Sequence, residues 1–196
     1  MRVNVFWVAF FLILTAHSYG QIDPNLWKSV NKVEDNKYII TIPDAWKKVT
    51  ITEGTGVDYK FDFSGVGIPA TVNSAPLYAN FTIARIKGNN IQQASDQAVA
   101  DFSGFYDRVT EPNYNYDTTT ATIKSGETGK VIHTRYYRRS KVSNYSKFYY
   151  IIYNAKADET YLLNFNFQYK DAMYDIERTG RFKDYTAEIF SHFEFR

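Results

Sequence analysis

Residues 160–169 read Thr160-Tyr161-Leu162-Leu163-Asn164-Phe165-Asn166-Phe167-Gln168-Tyr169. Successive side chains of an extended chain point to opposite faces, so Leu163, Phe165, Phe167 and Tyr169 share one side. Asn164, Asn166 and Gln168 share the other. One apolar and one polar face describe an antiparallel strand packed on a core from one side. Lys147 to Tyr153 is read as its partner, with Asn154 to Glu159 turning between them. An earlier hairpin runs from Ala121 to Ser125, through Gly126-Glu127-Thr128-Gly129, into Lys130 to Arg139, in a region whose strand character resumes at Thr118.

Upstream, Tyr38-Ile39-Ile40-Thr41-Ile42 is β-branched and aromatic and predicts a strand. Pro43-Asp44 ends it and Trp46 follows. Lys47 to Ile51 is read as a second short strand and Tyr59 to Phe63 as a half-buried one. Ser64 to Pro76 holds Gly65, Gly67, Pro69 and Pro76 and reads as an irregular loop. Strand character returns from Leu77 to Ile86. The period then changes. Ile91, Ala94, Ala98, Phe102, Phe105 and Val109 recur at three- and four-residue steps, which predicts an amphipathic helix over Ile91 to Asp107, with Gly88, Asn89 and Asn90 before it to supply the cap and Pro112 beyond its end. Phe182, Tyr185, Ile189 and Phe193 carry the same spacing, for a second helix over Arg181 to Phe190. Ser191 to Phe195 is a short extended piece. Strands and helices do not alternate, so the class is α+β, a mostly antiparallel sheet covered by two helices.

The chain has 196 residues, with 23 Lys and Arg against 21 Asp and Glu, 17 Tyr, 15 Phe and no Cys. So many aromatic residues exclude disorder as the general state. The near-zero charge argues against a nucleic-acid binder. The lack of Cys excludes disulfides, thiolate metal sites and Cys nucleophiles. Arg2 followed by the apolar run Val5 to Leu14 and the small residues Ala16, Ser18 and Gly20 has the form of a secretory signal peptide over residues 1–20. That run is too short for a membrane span, which needs about 20 apolar residues. Cleavage near Gly20 predicts an exported product, periplasmic or extracellular, with a formal charge of +1 once Arg2 is gone and no transmembrane segment. Residues 21–36 are polar with scattered apolar positions and read as a leader. Residues 37–196 read as one domain.

The strand ending Ile42-Pro43, then Trp46, together with the mid-chain helix, the late hairpins and a closing helix running into Phe190-Ser191-His192-Phe193, resembles the PsbP-like family. The family includes the extrinsic photosystem II protein and related exported bacterial proteins. Ala45 stands where many members have Gly before the tryptophan, and His192 separates Ser191 from Phe193. The resemblance implies an α/β/α sandwich and a binding or assembly role without an active site. No functional residue of the family carries over.

The sequence carries little recognisable catalytic chemistry. The nucleophile elbow G-x-S-x-G is missing. Of three His, His17 leaves with the signal, and His133 and His192 are separate, so a zinc site is not expected. No cofactor is expected. Gly126-Glu127-Thr128-Gly129-Lys130 has two residues between its glycines where a phosphate loop has four, and reads as a turn. Asn80-Phe81-Thr82 and Asn144-Tyr145-Ser146 are glycosylation sequons. The most distinctive stretch is Arg135-Tyr136-Tyr137-Arg138-Arg139-Ser140-Lys141. When extended, it places Arg135, Tyr137, Arg139 and Lys141 on one face with His133. Arg forks bind carboxylates and phosphates, and Tyr rings supply a platform. Tyr149 and Tyr153 lie in the neighbouring strand. These six residues form the candidate interaction surface, for an unknown protein or an anionic ligand. The plainer reading is a solvated strand face, with the tyrosines edging the core. The leading expectation is an exported non-catalytic binding or assembly module. The alternative is an exported hydrolase of glycans or envelope polymers with paired carboxylates; the acidic groups at hand, Asp158-Glu159 in a hairpin turn and Asp171, Asp175 and Glu177 before the last helix, read more simply as solvated polar faces.

Overall fold

In a computed structural model, residues 27–52, 56–63, 78–106, 112–138, 144–169 and 180–196 are described. They form β1 (Val30–Glu34), β2 (Tyr38–Pro43), β3 (Trp46–Val49), β4 (Val57–Phe63), β5 (Tyr78–Lys87), α1 (Ile91–Tyr106), β6 (Pro112–Thr122), β7 (Thr128–Arg138), β8 (Asn144–Asn154), β9 (Glu159–Tyr169), α2 (Arg181–Ser191) and β10 (Phe193–Phe195). Seven strands make one sheet in the order β3-β4-β5-β9-β8-β7-β6, and three make a smaller one, β1-β2-β10. Neighbouring strands in both sheets are antiparallel. The fold is α+β, as the sequence predicts.

The chain reaches β5, crosses over through α1 to the far edge at β6, and returns strand by strand until β9 pairs with β5. This makes β9 the middle strand of the large sheet. Its alternation therefore sets the two faces. Tyr161, Leu163, Phe165, Phe167 and Tyr169 are all buried on the inner face, while Asn164, Asn166 and Gln168 are half-buried on the outer one. Across the strands, Phe81, Phe165 and Phe148 lie in register. The Phe81 and Phe165 rings stack at 4.3 Å between centroids. α2 covers this inner face with Phe182, Tyr185, Ile189 and Phe190, and β2 and β10 add Tyr38, Ile40, Ile42 and Phe193. On the outer face, α1 lays Ala94 and Ala98 on Ile132, Tyr149 and Ile151. The two helices thus lie on opposite faces of the large sheet, a three-layered arrangement.

Pro43 and Trp46 mark a change of sheet. β2 belongs to the small sheet and β3 to the large one, with only Asp44 and Ala45 between them. Trp46 is driven fully into the inner layer, against Phe81, Phe165, Phe167 and Tyr185. Its buried indole N–H is satisfied by donating to the Tyr185 hydroxyl at 2.6 Å. Burial pushes the Tyr185 phenol well above its ordinary range.

Two readings need correction. Residues 21–36 are not simply a leader, because Val30–Glu34 is a strand paired with β2 and Trp27 packs against the inner core. Its largely exposed, polar composition left only Val33 to signal it. Strand structure after α1 also begins six residues earlier than Thr118. Pro112 opens an edge strand, where a missing N–H costs no ladder bond. The Gly126 motif is a turn, as expected. Gly126 has φ +100°, Gly126 N–H donates to Ile123 O, and Ile123 N–H donates to Glu127 O. That is a three-residue hairpin loop closed by a glycine bulge.

A charged clasp joins the sheets. The Arg85 guanidinium, on β5, meets both oxygens of Asp58 at 2.5 and 3.1 Å, and Asp35, in the β1–β2 turn, at 3.6 Å. The Lys37 ammonium bonds Glu159, which also accepts the Tyr161 hydroxyl at 2.9 Å. Burial alone would raise the Glu159 carboxyl. The bonds from Lys37 and Tyr161 outweigh it and hold the group below its ordinary range. A lowered carboxyl contributes stability above its unfolded value, and that contribution is lost as pH falls through the folded value. Glu159→Gln is therefore expected to cost about 1–2 kcal/mol near pH 7. The gap to wild type should close below about pH 4. Denaturant unfolding at a series of pH values checks this.

Candidate functional site

Of the six expected surface residues, Arg135, Tyr149 and Tyr153 have described side chains, and these three do not share one exposed face. Arg135 lies on the inner face of β7, 24% exposed, and its guanidinium holds Asp117 of β6 at 2.9 Å. Tyr149 lies on the outer face beneath α1 and is 1% exposed, so it cannot contribute to an interaction surface. Tyr153, also of the outer face, sits at the β8–β9 turn, where its hydroxyl donates to Asp158 at 2.8 Å. Tyr137 is placed only by register, opposite Asn113. Arg139 and Lys141 lie outside the described residues. What joined the six in the sequence was proximity along the chain and the parity of β7. Parity does set Arg135 beside His133, but it says nothing about which helix covers the next strand.

The register of three strands brings Asp117, His133 and Ser146 into line. His133 Nε2 is 2.8 Å from Ser146 Oγ, and His133 Nδ1 is 3.8 Å from Asp117 Oδ1. This is the order of a serine nucleophile, base and orienting acid. The surroundings do not suit that chemistry. Ser146 is completely buried near the start of β8, where it is paired with both β7 and β9, so the backbone there is committed to ladders rather than to an oxyanion. Asp117 is held by Arg135, and the His133 ring lies flat on Phe148 at 3.9 Å. The cluster satisfies buried polar atoms. Accordingly, Ser146→Ala is expected to cost about 1–3 kcal/mol of stability, and a fluorophosphonate probe is expected to leave Ser146 unlabelled in the folded protein. Labelling at Ser146 by mass spectrometry is the contrary result.

Of the carboxylates considered for hydrolysis, Glu159 is tied to Lys37 and Asp158 accepts from Tyr153. Asp171, Asp175 and Glu177 lie outside the described residues. Among the described residues no group of three His, Cys, Asp or Glu is placed to hold a metal ion. Both sequons fall inside strands, with Asn144 buried, where glycosylation acceptors are not normally found.

A groove of about 420 Å³ opens where the edge of the small sheet faces the edge of the large one. β1 lines it with Asn31, Lys32 and Glu34, β3 with Lys47 and Lys48, and β4 with Tyr59. Asn31 fixes the two edges by donating its amide to Trp46 O at 3.1 Å. Lys32 and Glu34 neutralise each other at 2.6 Å. The Lys48 ammonium stands 4.5 Å above the Tyr59 ring. Two lysines and an aromatic wall remain to meet a ligand. Sequence reasoning missed this site because its residues come from three strands of two sheets. The available signal was the pair Lys47-Lys48 directly after Trp46.

No family model and no curated protein matches the chain. Solved structures do. The Ran-binding protein Mog1p of Saccharomyces cerevisiae has a TM-score of 0.54 at 9% identity, over 85% of this chain and 95% of that one. LpqN, involved in cell envelope biogenesis of Mycobacterium tuberculosis, has a TM-score of 0.46 at 15% identity, over 85% and 90%. PA94 of Pseudomonas aeruginosa, a protein of unknown function, has 0.36 at 14%, over 80% and 94%. The likeness to Mog1p shows a shared fold. Among the described residues no helix is long and apolar enough to cross a membrane.

Proposed function

We propose that this chain is an exported, non-catalytic binding module of the PsbP-like kind, and that the groove between β1 and β3–β4 takes an anionic ligand. The observation that carries the reading is Lys47 and Lys48 beside Tyr59 in a groove whose other ion pair is internally neutralised. A carboxylate or phosphate there meets two ammonium groups and an aromatic wall. The engagement of Asp58, Glu159 and Asp158 by Arg85, Lys37 and Tyr153 supports a binding rather than a hydrolytic role. The N-terminal pattern Arg2, Val5 to Leu14 and Gly20 supports export. That Mog1p is a Ran-binding protein supports the use of this fold for binding another molecule.

The test begins with the full chain expressed in an export-competent host, where the product is expected to start at Gln21. Nuclear magnetic resonance titration of that product with citrate and with inorganic phosphate should shift the Lys47, Lys48 and Tyr59 resonances in a saturable way. The double variant Lys47→Gln/Lys48→Gln should lose at least tenfold in affinity with its melting temperature little changed. Saturable shifts elsewhere, or affinity indifferent to both lysines, would remove the groove from the account.

A further inference from the structure

β6 is the outermost strand of the large sheet, and no other described strand pairs with its free edge. Its register with β7 runs without a slip from Pro112↔Arg138 to Thr122↔Thr128. The turn fixes the phase of the ladder, because Ile123 N–H donates to Glu127 O across the hairpin. Counting back in steps of two, Ala121 and Thr119 bond to β7, while Thr122, Thr120 and Thr118 turn their N–H and C=O groups toward the open edge. Thr118, Thr119, Thr120 and Thr122 are all exposed.

An unpaired edge is a template for another strand, and proteins normally blunt it with short length, lysine or other charges. The remaining edges here are blunted. β3 has four residues including Lys47 and Lys48, β1 carries Lys32 and Glu34, and β10 has three residues including Glu194. β6 is eleven residues long, and its single charge, Asp117, is held by Arg135. Among the described strands, the edge without such protection is thus the longest one and the richest in β-branched threonine.

We propose that β6 docks β6 of a second copy of this chain, antiparallel across a two-fold axis at Thr120, so that the two large sheets become continuous. Such a contact is self-complementary. Centred on Thr120, it sets Thr118 opposite Thr122 and Thr120 opposite its own counterpart, and Thr119 faces Ala121. Thr–Thr pairs are favourable across strands. The stretch Thr118 to Thr122 holds no charged residue, so no like charges meet; the ladder ends there, because Lys124 N–H already donates to Phe193 O of its own chain. The inference does not rest on the groove and stands if the groove binds nothing.

Sedimentation equilibrium of the exported product across a concentration series tests it. Wild type is expected to dimerise reversibly. Thr120→Pro removes an outward N–H and no bond to β7, and proline is tolerated on such an edge. Thr120→Lys sets like charges on the axis. Each is expected to weaken the dimer at least tenfold, with far-ultraviolet circular dichroism unchanged. Thr119→Pro, which deletes a ladder bond, is expected to unfold the hairpin instead and serves as the control for phase. A wild type that stays monomeric at every concentration overturns the proposal and leaves the edge to an extended segment of a different chain. A dimer indifferent to both Thr120 variants overturns it equally.

Discussion

The rest of the molecule depends on keeping one face of one strand dry. β9 sits in the middle of the large sheet, and its inner residues Tyr161, Leu163, Phe165, Phe167 and Tyr169 are covered by α2 and by the small sheet. Burying rings of this size contributes roughly 1.5–3 kcal/mol each, and truncating one to alanine typically costs about 3–5 kcal/mol. No disulfide is available to compensate, since the chain has no cysteine. Trp46 is the point at which this layer constrains topology. It forces the chain from the small sheet to the large one within two residues, and its bond to Tyr185 ties that crossing to α2.

Much of this was legible in the sequence for a physical reason. A strand buried on one side has to alternate, and β9 alternates. α1 and α2 each have one apolar stripe, so both had to lie on a sheet, and their positions matched the expected spans within a residue. What escaped detection was structure held by backbone pairing rather than by burial. β1 is almost wholly exposed and carries no apolar alternation. The small sheet was therefore invisible, although the strong strand Tyr38–Pro43 implied some partner. Pro112 resembled a helix stop because a proline at the head of an edge strand and one beyond a helix look alike in sequence.

The candidate sites show the same division. A run such as Arg135 to Lys141 draws attention because its residues are adjacent along the chain, yet binding surfaces are assembled across strands. Register turned Arg135 into the partner of Asp117 and placed Tyr149 under α1. It also created the Asp117–His133–Ser146 line, whose burial deprives it of the access that a reactive serine requires. The groove and the β6 edge both lie where the sheets end. There the sequence departs from alternation, with Lys47-Lys48 in one case and Thr118-Thr119-Thr120 in the other. The interior supplies stability, and on the proposed reading the sheet margins supply the chemistry for recognition.

Native-state amide hydrogen exchange tests the central claim most directly. If the inner aromatic layer makes the small sheet, α2 and the large sheet one cooperative unit, the slowest amides of Ile40, Phe165 and Ile189 open with the same free energy, within about 1 kcal/mol, and share one denaturant dependence. Exchange at Ile40 or Ile189 through a separate, lower-energy opening, while Phe165 stays protected, would show that the small sheet or α2 is an appendage. That result would contradict the account.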